Sequence, residues 1–151
     1  MTKTWGPCTW FLFHTLAEKI KEEEFNTKKE VLLHLIIRIC DNLPCPDCAS
    51  HARQQMANLN TNTINTKEDL KNMLHSFHNL VNQRLNKPTI SKEELNNKYK
   101  LAITSNVVQY FIQIWSKRSH NPKLMTEDLH KSRVVTEFIN WWRQNNHLFN
   151  P

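Results

Sequence analysis

Gly6 is the only glycine in the chain. Sheets and tight hairpins draw on glycine wherever the backbone takes positive φ, so a chain with a single one points to a helical fold. It also has no Gly-rich phosphate loop. The apolar residues agree, recurring at three- and four-residue intervals with no convincing alternation and no internal repeat. Hydrophobic content is 39% of 151 residues, enough for one domain with a real core rather than a disordered chain. No apolar run approaches the ~20 residues of a membrane span, and Met1-Thr2-Lys3-Thr4-Trp5 lacks the apolar region of a signal peptide. The formal charge of +6 comes from scattered lysines and arginines, which reads as a solvated surface rather than a stripe for nucleic acid.

The helices follow in order. Gly6-Pro7 is an entry signal and Thr9 a cap, predicting a helix to about Lys21 with Trp10, Phe13, His14 and Ala17 on one face. Glu22-Glu23-Glu24 reads as a solvated run, and Asn26-Thr27 as the start of a core helix reaching about Asn42. Cys40 beside its core face reads as a small buried hydrophobe. Residues 58–66 form a polar loop. Thr66 caps a long helix with two stripes, Leu70, Leu74, Phe77, Val81 and Leu85 for the core, and His75, His78, Asn79 and Asn82 about a quarter turn away. The polar stripe suits a buried polar ligand or a solvent face equally. Ser91 opens a further pattern running through Tyr99 to Trp115. Ser119-His120-Asn121-Pro122 breaks the chain, and a last helix from about Thr126 to Asn146 carries Leu129, Val135, Phe138, Ile139 and Trp142. The fold class is therefore all-α, with four or five core helices and a C-terminal helical extension.

The chemistry centres on Cys45-Pro46-Asp47-Cys48. Pro46 has φ fixed near the helical value and no N–H to leave unpaired, so it predicts a helix start with Cys45 at the cap and Cys48 in the first turn. The helix terminus favours thiolate there, and Asp47 works weakly against it. Such a pair either closes a small disulfide ring or supplies half of a zinc site, with Cys8, Cys40, His51 or later histidines as the remaining ligands. A basic helical binding module with structural zinc is thus the alternative to a redox role. A thioredoxin-like oxidoreductase does not fit, because it needs a βαβ pattern.

Three motifs carry a resemblance. Trp-Gly-Pro-x-x-Trp-x-x-x-His at 5–14, Leu-Pro-Cys-Pro-x-Cys at 43–48 and Phe-His-Asn-x-Val-Asn-x-Arg-Leu-Asn-Lys-Pro at 77–88 occur in this order. The chain resembles the Erv/ALR family of FAD-dependent sulfhydryl oxidases, in particular the short viral forms, over residues 5–99. The resemblance implies a small helical bundle holding FAD between helices in residues 1–100, commonly a homodimer, with 101–151 as an extension packed on it. It implies that Cys45 and Cys48 are the catalytic pair, Cys45 attacked by substrate thiolate and Cys48 next to the flavin ring. It assigns Gly6, Trp10 and His14 to one cofactor-binding segment, His75, His78, Asn79, Val81, Asn82 and Lys87 to another, and Lys98 and Tyr99 to a basic–aromatic pair against FAD. Electrons would pass from a dithiol protein substrate (thioredoxin-like, or a viral relay protein) through Cys45–Cys48 and FAD to O2, giving hydrogen peroxide. No metal, membrane or nucleic acid would be involved, and the site of action would be the cytoplasm, in the host cell or virion. The chain departs from the family in lacking a shuttle cysteine pair and the family's structural disulfide. Ser76 stands where many relatives have histidine and Glu18 where many have an aromatic. Cys8 and Cys40 read as inert, the alternative being that Cys8, inside the first motif, takes part in electron relay or bridges subunits.

Overall fold

The computed structural model describes residues 4–118 and 121–151. Among these, seven α-helices follow one another, α1 (Trp5–Lys19), α2 (Glu22–Asp41), α3 (Pro46–Ala57), α4 (Lys67–Arg84), α5 (Lys92–Lys100), α6 (Thr104–Trp115) and α7 (Met125–Asn145). Short 3-10 turns at Thr61–Thr63, Pro122–Leu124 and Asn146–Leu148 join or end them. No strand occurs among the described residues; one isolated antiparallel bridge pairs Ile20 with Phe149. The all-α class is as expected from the sequence.

Helix α1 is the centre of the bundle. It packs against α4, α5 and α6, while α2 packs on α3 and α7. Leu12, Phe13, Leu16 and Ala17 of α1 share one core with Leu32, Ile36 and Ile39 of α2 and Leu70, Leu74 and Phe77 of α4. Phe111 and Trp115 of α6 and Phe138 of α7 belong to the same core and are buried. Trp115 Nε1 donates to Thr9 Oγ1 at 3.0 Å, tying α6 to α1 through a buried polar contact. On the outside, Arg38 of α2 makes a two-pronged pair with Glu137 of α7 at 2.8 and 2.9 Å. Residues 101–151 therefore close the core from the other side.

Several boundaries differ from the sequence expectation. Helix α1 begins at Trp5, because Pro7 sits in the first turn, where a missing N–H is harmless. Thr9 is not a cap; it is buried inside the helix, and its Oγ1 donates to the Trp5 carbonyl at 2.6 Å. Helix α2 starts at Glu22 rather than Asn26, since three glutamates in a first turn complement the helix dipole without a capping side chain. The pattern from Ser91 to Trp115 is two helices. Thr104 donates its backbone N–H to the Pro151 carbonyl at 3.0 Å and its Oγ1 to the Asn150 carbonyl at 2.7 Å, so a long-range contact sets the new start. Leu129, expected in the core, is 62% exposed; α7 buries Val135 and Phe138 as expected, together with Val134. The expected break at 119–122 falls partly on Ser119 and His120, which lie outside the described residues.

Phe138 is fully buried against Phe111, with ring centroids 5.0 Å apart. Phe138→Ala is expected to lower stability by about 3–5 kcal/mol, the range for deleting a buried phenyl ring, read from the urea unfolding midpoint.

Candidate active site

Helix α3 starts at Pro46, with Cys45 as its cap. The Cys48 backbone N–H donates to Cys45 Sγ at 3.3 Å, and the two cysteines form a disulfide. Both are half-buried, and the intervening Pro46 and Asp47 are exposed. The ring thus sits at the surface, on a helix terminus whose free N–H groups stabilise negative charge at sulfur.

Cys48 also lines a cavity of about 650 Å³ between α1, α3, α4 and α5. That size lies within the ~300–1,000 Å³ typical of cofactor and ligand sites. Cys45 is not among its lining residues, so the pair presents one sulfur to the cavity. One wall is flat and aromatic: the Trp10 indole stacks on the His78 imidazole at 3.9 Å and 5°. Arg84, Lys87 and Lys98 supply cations at the rim, and Lys98 Nζ lies 4.5 Å above the Phe11 ring. Flat apolar walls, three cations and a sulfur fit a large, flat, anionic ligand.

Of the residues expected at the cofactor, Gly6, Trp10, His78, Val81, Asn82, Lys87, Lys98 and Tyr99 line this cavity. His14, His75 and Asn79 do not. His14 stands behind the wall, its Nε2 hydrogen-bonded to His78 Nδ1 at 2.8 Å. His75 and Asn79 are turned to the loop after α4. Asn79 Nδ2 donates to the Ile90 carbonyl at 2.9 Å, its Oδ1 accepts from the Ile90 N–H at 2.8 Å, and His75 Nε2 donates to the same carbonyl at 2.6 Å. Asn82 Nδ2 holds the Pro88 carbonyl at 3.1 Å. The polar stripe of α4 therefore shapes a cavity wall as much as it faces a ligand. Arg84, Phe11 and His51 also line the cavity and were not expected there as cofactor contacts. Arg84 had a signal in being a fixed residue of the 77–88 motif, three positions before Lys87; Phe11 had none, being one residue off the Trp10 face.

Burial governs the titratable groups. Desolvation, then the positive charge facing His14 from His78, Lys98 and His75, lowers its pKa to about 3. Desolvation, then Lys98, His75 and Lys87, lowers His78 to about 4. Desolvation pushes the Cys8 thiol up to about 12, and raises Cys40 further. Both free cysteines are buried thiols, unlike the half-buried pair at α3. Among the described residues, no group of three or more His, Cys, Asp or Glu is placed to hold a metal, and Cys45 and Cys48 are bonded to each other. This disfavours the zinc alternative. Nor is any described helix long and apolar enough to cross a membrane.

A helical bundle with a surface disulfide opening onto a cofactor-sized cavity defines a class of thiol-handling redox proteins. Residues 7–100 match the profile of the Erv1 / Alr family. FAD-linked sulfhydryl oxidases of two African swine fever virus isolates are each 34% identical over 116 residues, covering 74% of this chain and 96% of theirs. The FAD-linked sulfhydryl oxidase ERV1 of Oryza sativa subsp. japonica is 27% identical over 94 residues, covering 62% of this chain and 48% of that one. No solved structure matches. The chain belongs to the Erv1 / Alr family.

The two histidines make stability pH-dependent. An unfolded histidine takes up a proton near pH 6.5, whereas these two stay neutral in the fold. Above that pH these two rings are neutral in both states and their contribution to stability is flat. As pH falls below about 6.5, the unfolded state gains protons that the folded state refuses, and stability drops by up to ~1.4 kcal/mol per pH unit per histidine. The drop continues until His78 and then His14 charge, near pH 4 and 3. Urea midpoints at pH 7 and pH 5 should show it, and His78→Gln should roughly halve the difference.

Proposed function

We propose that this chain is an FAD-linked sulfhydryl oxidase, forming disulfide bonds in protein dithiols with O2 as electron acceptor. The observation that carries the reading is the single sulfur of a surface disulfide, Cys48, facing a cofactor-sized cavity. The names of the African swine fever virus and rice relatives support the same cofactor and reaction. In this reading residues 1–100 carry the site, and 101–151 brace α1 and α2 from behind.

The chain's own residues divide the work. A substrate thiolate attacks Cys45 Sγ, the Cys45–Cys48 bond breaks, and Cys48 leaves as thiolate in the first turn of α3, where the helix terminus stabilises it. A second substrate thiolate then attacks the substrate sulfur of the mixed disulfide. It releases an oxidised substrate and leaves Cys45 reduced. The thiolate of Cys48 remains against the cavity, where it can pass the electron pair on. Trp10, His78, Val81, Asn82 and Tyr99 would hold the flat parts of FAD, and Lys87, Lys98 and Arg84 its phosphates. His14, His75 and Asn79 would act from behind, by fixing His78 and the 88–90 loop. When bound, FAD supplies a two-electron acceptor that is reoxidised by O2, with hydrogen peroxide as product. Cys8 and Cys40 take no part, since burial keeps them as thiols. A homodimer and a thioredoxin-like or viral relay protein as dithiol donor complete the reading, with action in the cytoplasm.

The purified protein should be yellow, with an absorption band near ~450 nm from bound flavin. Cys48→Ser should abolish dithiol-dependent oxygen uptake and leave that band in place. A colourless wild-type protein, or full oxygen uptake by Cys48→Ser, would overturn the reading.

A further inference from the structure

The buried imidazole pair divides two spaces. His78 lines the large cavity; His14 lines a second, much smaller one, of about 10 Å³, with Glu18, Lys71, His75, Lys92, Asn96 and Tyr99. This void is close to the volume that holds one water, and its lining is polar enough to bind it. Tyr99 lines both spaces, so the His14–His78 hydrogen bond lies within the partition between them. Beyond the void, Glu18 accepts from Lys71 Nζ at 3.3 Å on both oxygens, and its side chain is 18% exposed. A polar route therefore leads from the large cavity through two rings and a water-sized space to a carboxylate in contact with solvent.

The rings are suited to carry protons. Burial keeps both neutral, so each has one donor and one acceptor nitrogen. Joined from Nε2 to Nδ1, they leave His14 Nδ1 and His78 Nε2 as the two ends of the pair. Stacking of Trp10 on His78 holds that ring in place. We propose that His14 and His78 form a proton wire between the cofactor cavity and the void beside Glu18, exchanging protons with solvent while the large cavity stays closed by its ligand. The proposal rests on the oxidase reading, in which two thiols lose two protons and two electrons, and O2 gains two of each.

The transfer balances at each atom. In the inward direction a proton is taken up at His14 Nδ1, the Nε2 proton of His14 passes to His78 Nδ1, and His78 Nε2 releases its proton to the cavity. Both rings end as the other neutral tautomer, with no net charge gained. The outward direction reverses each step and restores the first tautomers. Glu18 exchanges the proton with the void and with bulk water.

Glu18→Gln tests the wire without touching the cofactor cavity. Turnover with a small dithiol should fall about tenfold, below the ~100-fold typical of losing a directly acting acid or base. The H2O-to-D2O rate ratio should rise, with flavin absorbance per protein unchanged. Lys71→Met breaks the same ion pair but keeps the carboxylate, and should leave the isotope ratio as in wild type. Equal effects of both variants, or none from Glu18→Gln, would overturn the wire. A second readout needs no turnover: 15N-histidine spectra of the wild-type protein should show both rings averaging between tautomers. A single fixed tautomer in each would overturn the proposal even if Glu18→Gln failed to fold. If wild type lacks flavin or thiol-dependent oxygen uptake, the oxidase reading fails instead, and the spectra alone judge the ring pair.

Discussion

Burial of α1 on nearly every side is the constraint from which the site follows. Gly6, Cys8, Thr9 and the run from Leu12 to Ala17 are all buried, by α4 and α5 on one side and α6 on another. A helix so enclosed must find partners for its polar groups inside the bundle. Thr9 does so with the Trp5 carbonyl and the Trp115 indole, and His14 with His78, while the buried Thr15 hydroxyl has none. Toward its N-terminus Trp5, Pro7, Trp10 and Phe11 stay open or partly open, and there the α1 surface becomes cavity wall. The site lies on that N-terminal part of the α1 surface, which the bundle leaves uncovered. Residues 101–151 matter to it although they line none of it, because α6 fixes the back of the same helix.

Much of this was legible in the sequence because local signals and tertiary needs agree. Pro46 and Cys45 set the start of α3 as expected, and Thr66 with Asp69 forms a full capping box at α4. Where a distant partner decides, the sequence is silent. The break before Thr104 depends on the carbonyls of Asn150 and Pro151, and no spacing rule looks across more than forty residues. Leu129 has the right periodicity for α7, but its helix turns that position away from the core. Apolar period identifies a face; it does not say how far along a helix the neighbouring helices reach.

The polar stripe of α4 shows the same limit within the site. His75, His78, Asn79 and Asn82 read as one surface because they share a helix face. The fold divides that surface. Asn79 pairs with the Ile90 backbone on both its donor and acceptor, much as a neighbouring strand would, and Asn82 takes the Pro88 carbonyl. The chain reverses just before, at Asn86, whose φ of 57° is the left-handed conformation that asparagine tolerates at a helix end. Residues 87–90 have few apolar side chains to anchor them, so their position rests on these amide contacts. That loop carries Lys87 to the cavity rim.

The four cysteines separate by the same physics of exposure. A thiolate in an apolar interior loses its hydration with little in return, which is why Cys8 and Cys40 are held as thiols. Cys40 lines the large cavity, so proximity to a ligand is not enough to make a sulfur reactive. What distinguishes Cys45 and Cys48 is their place at a helix start, with unpaired backbone N–H groups at hand and solvent on one side. Cys48 lies in the lining of the cavity and Cys45 outside it. Two residues of spacing on a helix terminus thus give the pair an outer and an inner sulfur. In the proposed oxidase that division would let electrons cross from a protein partner to a buried ligand without either having to move toward the other.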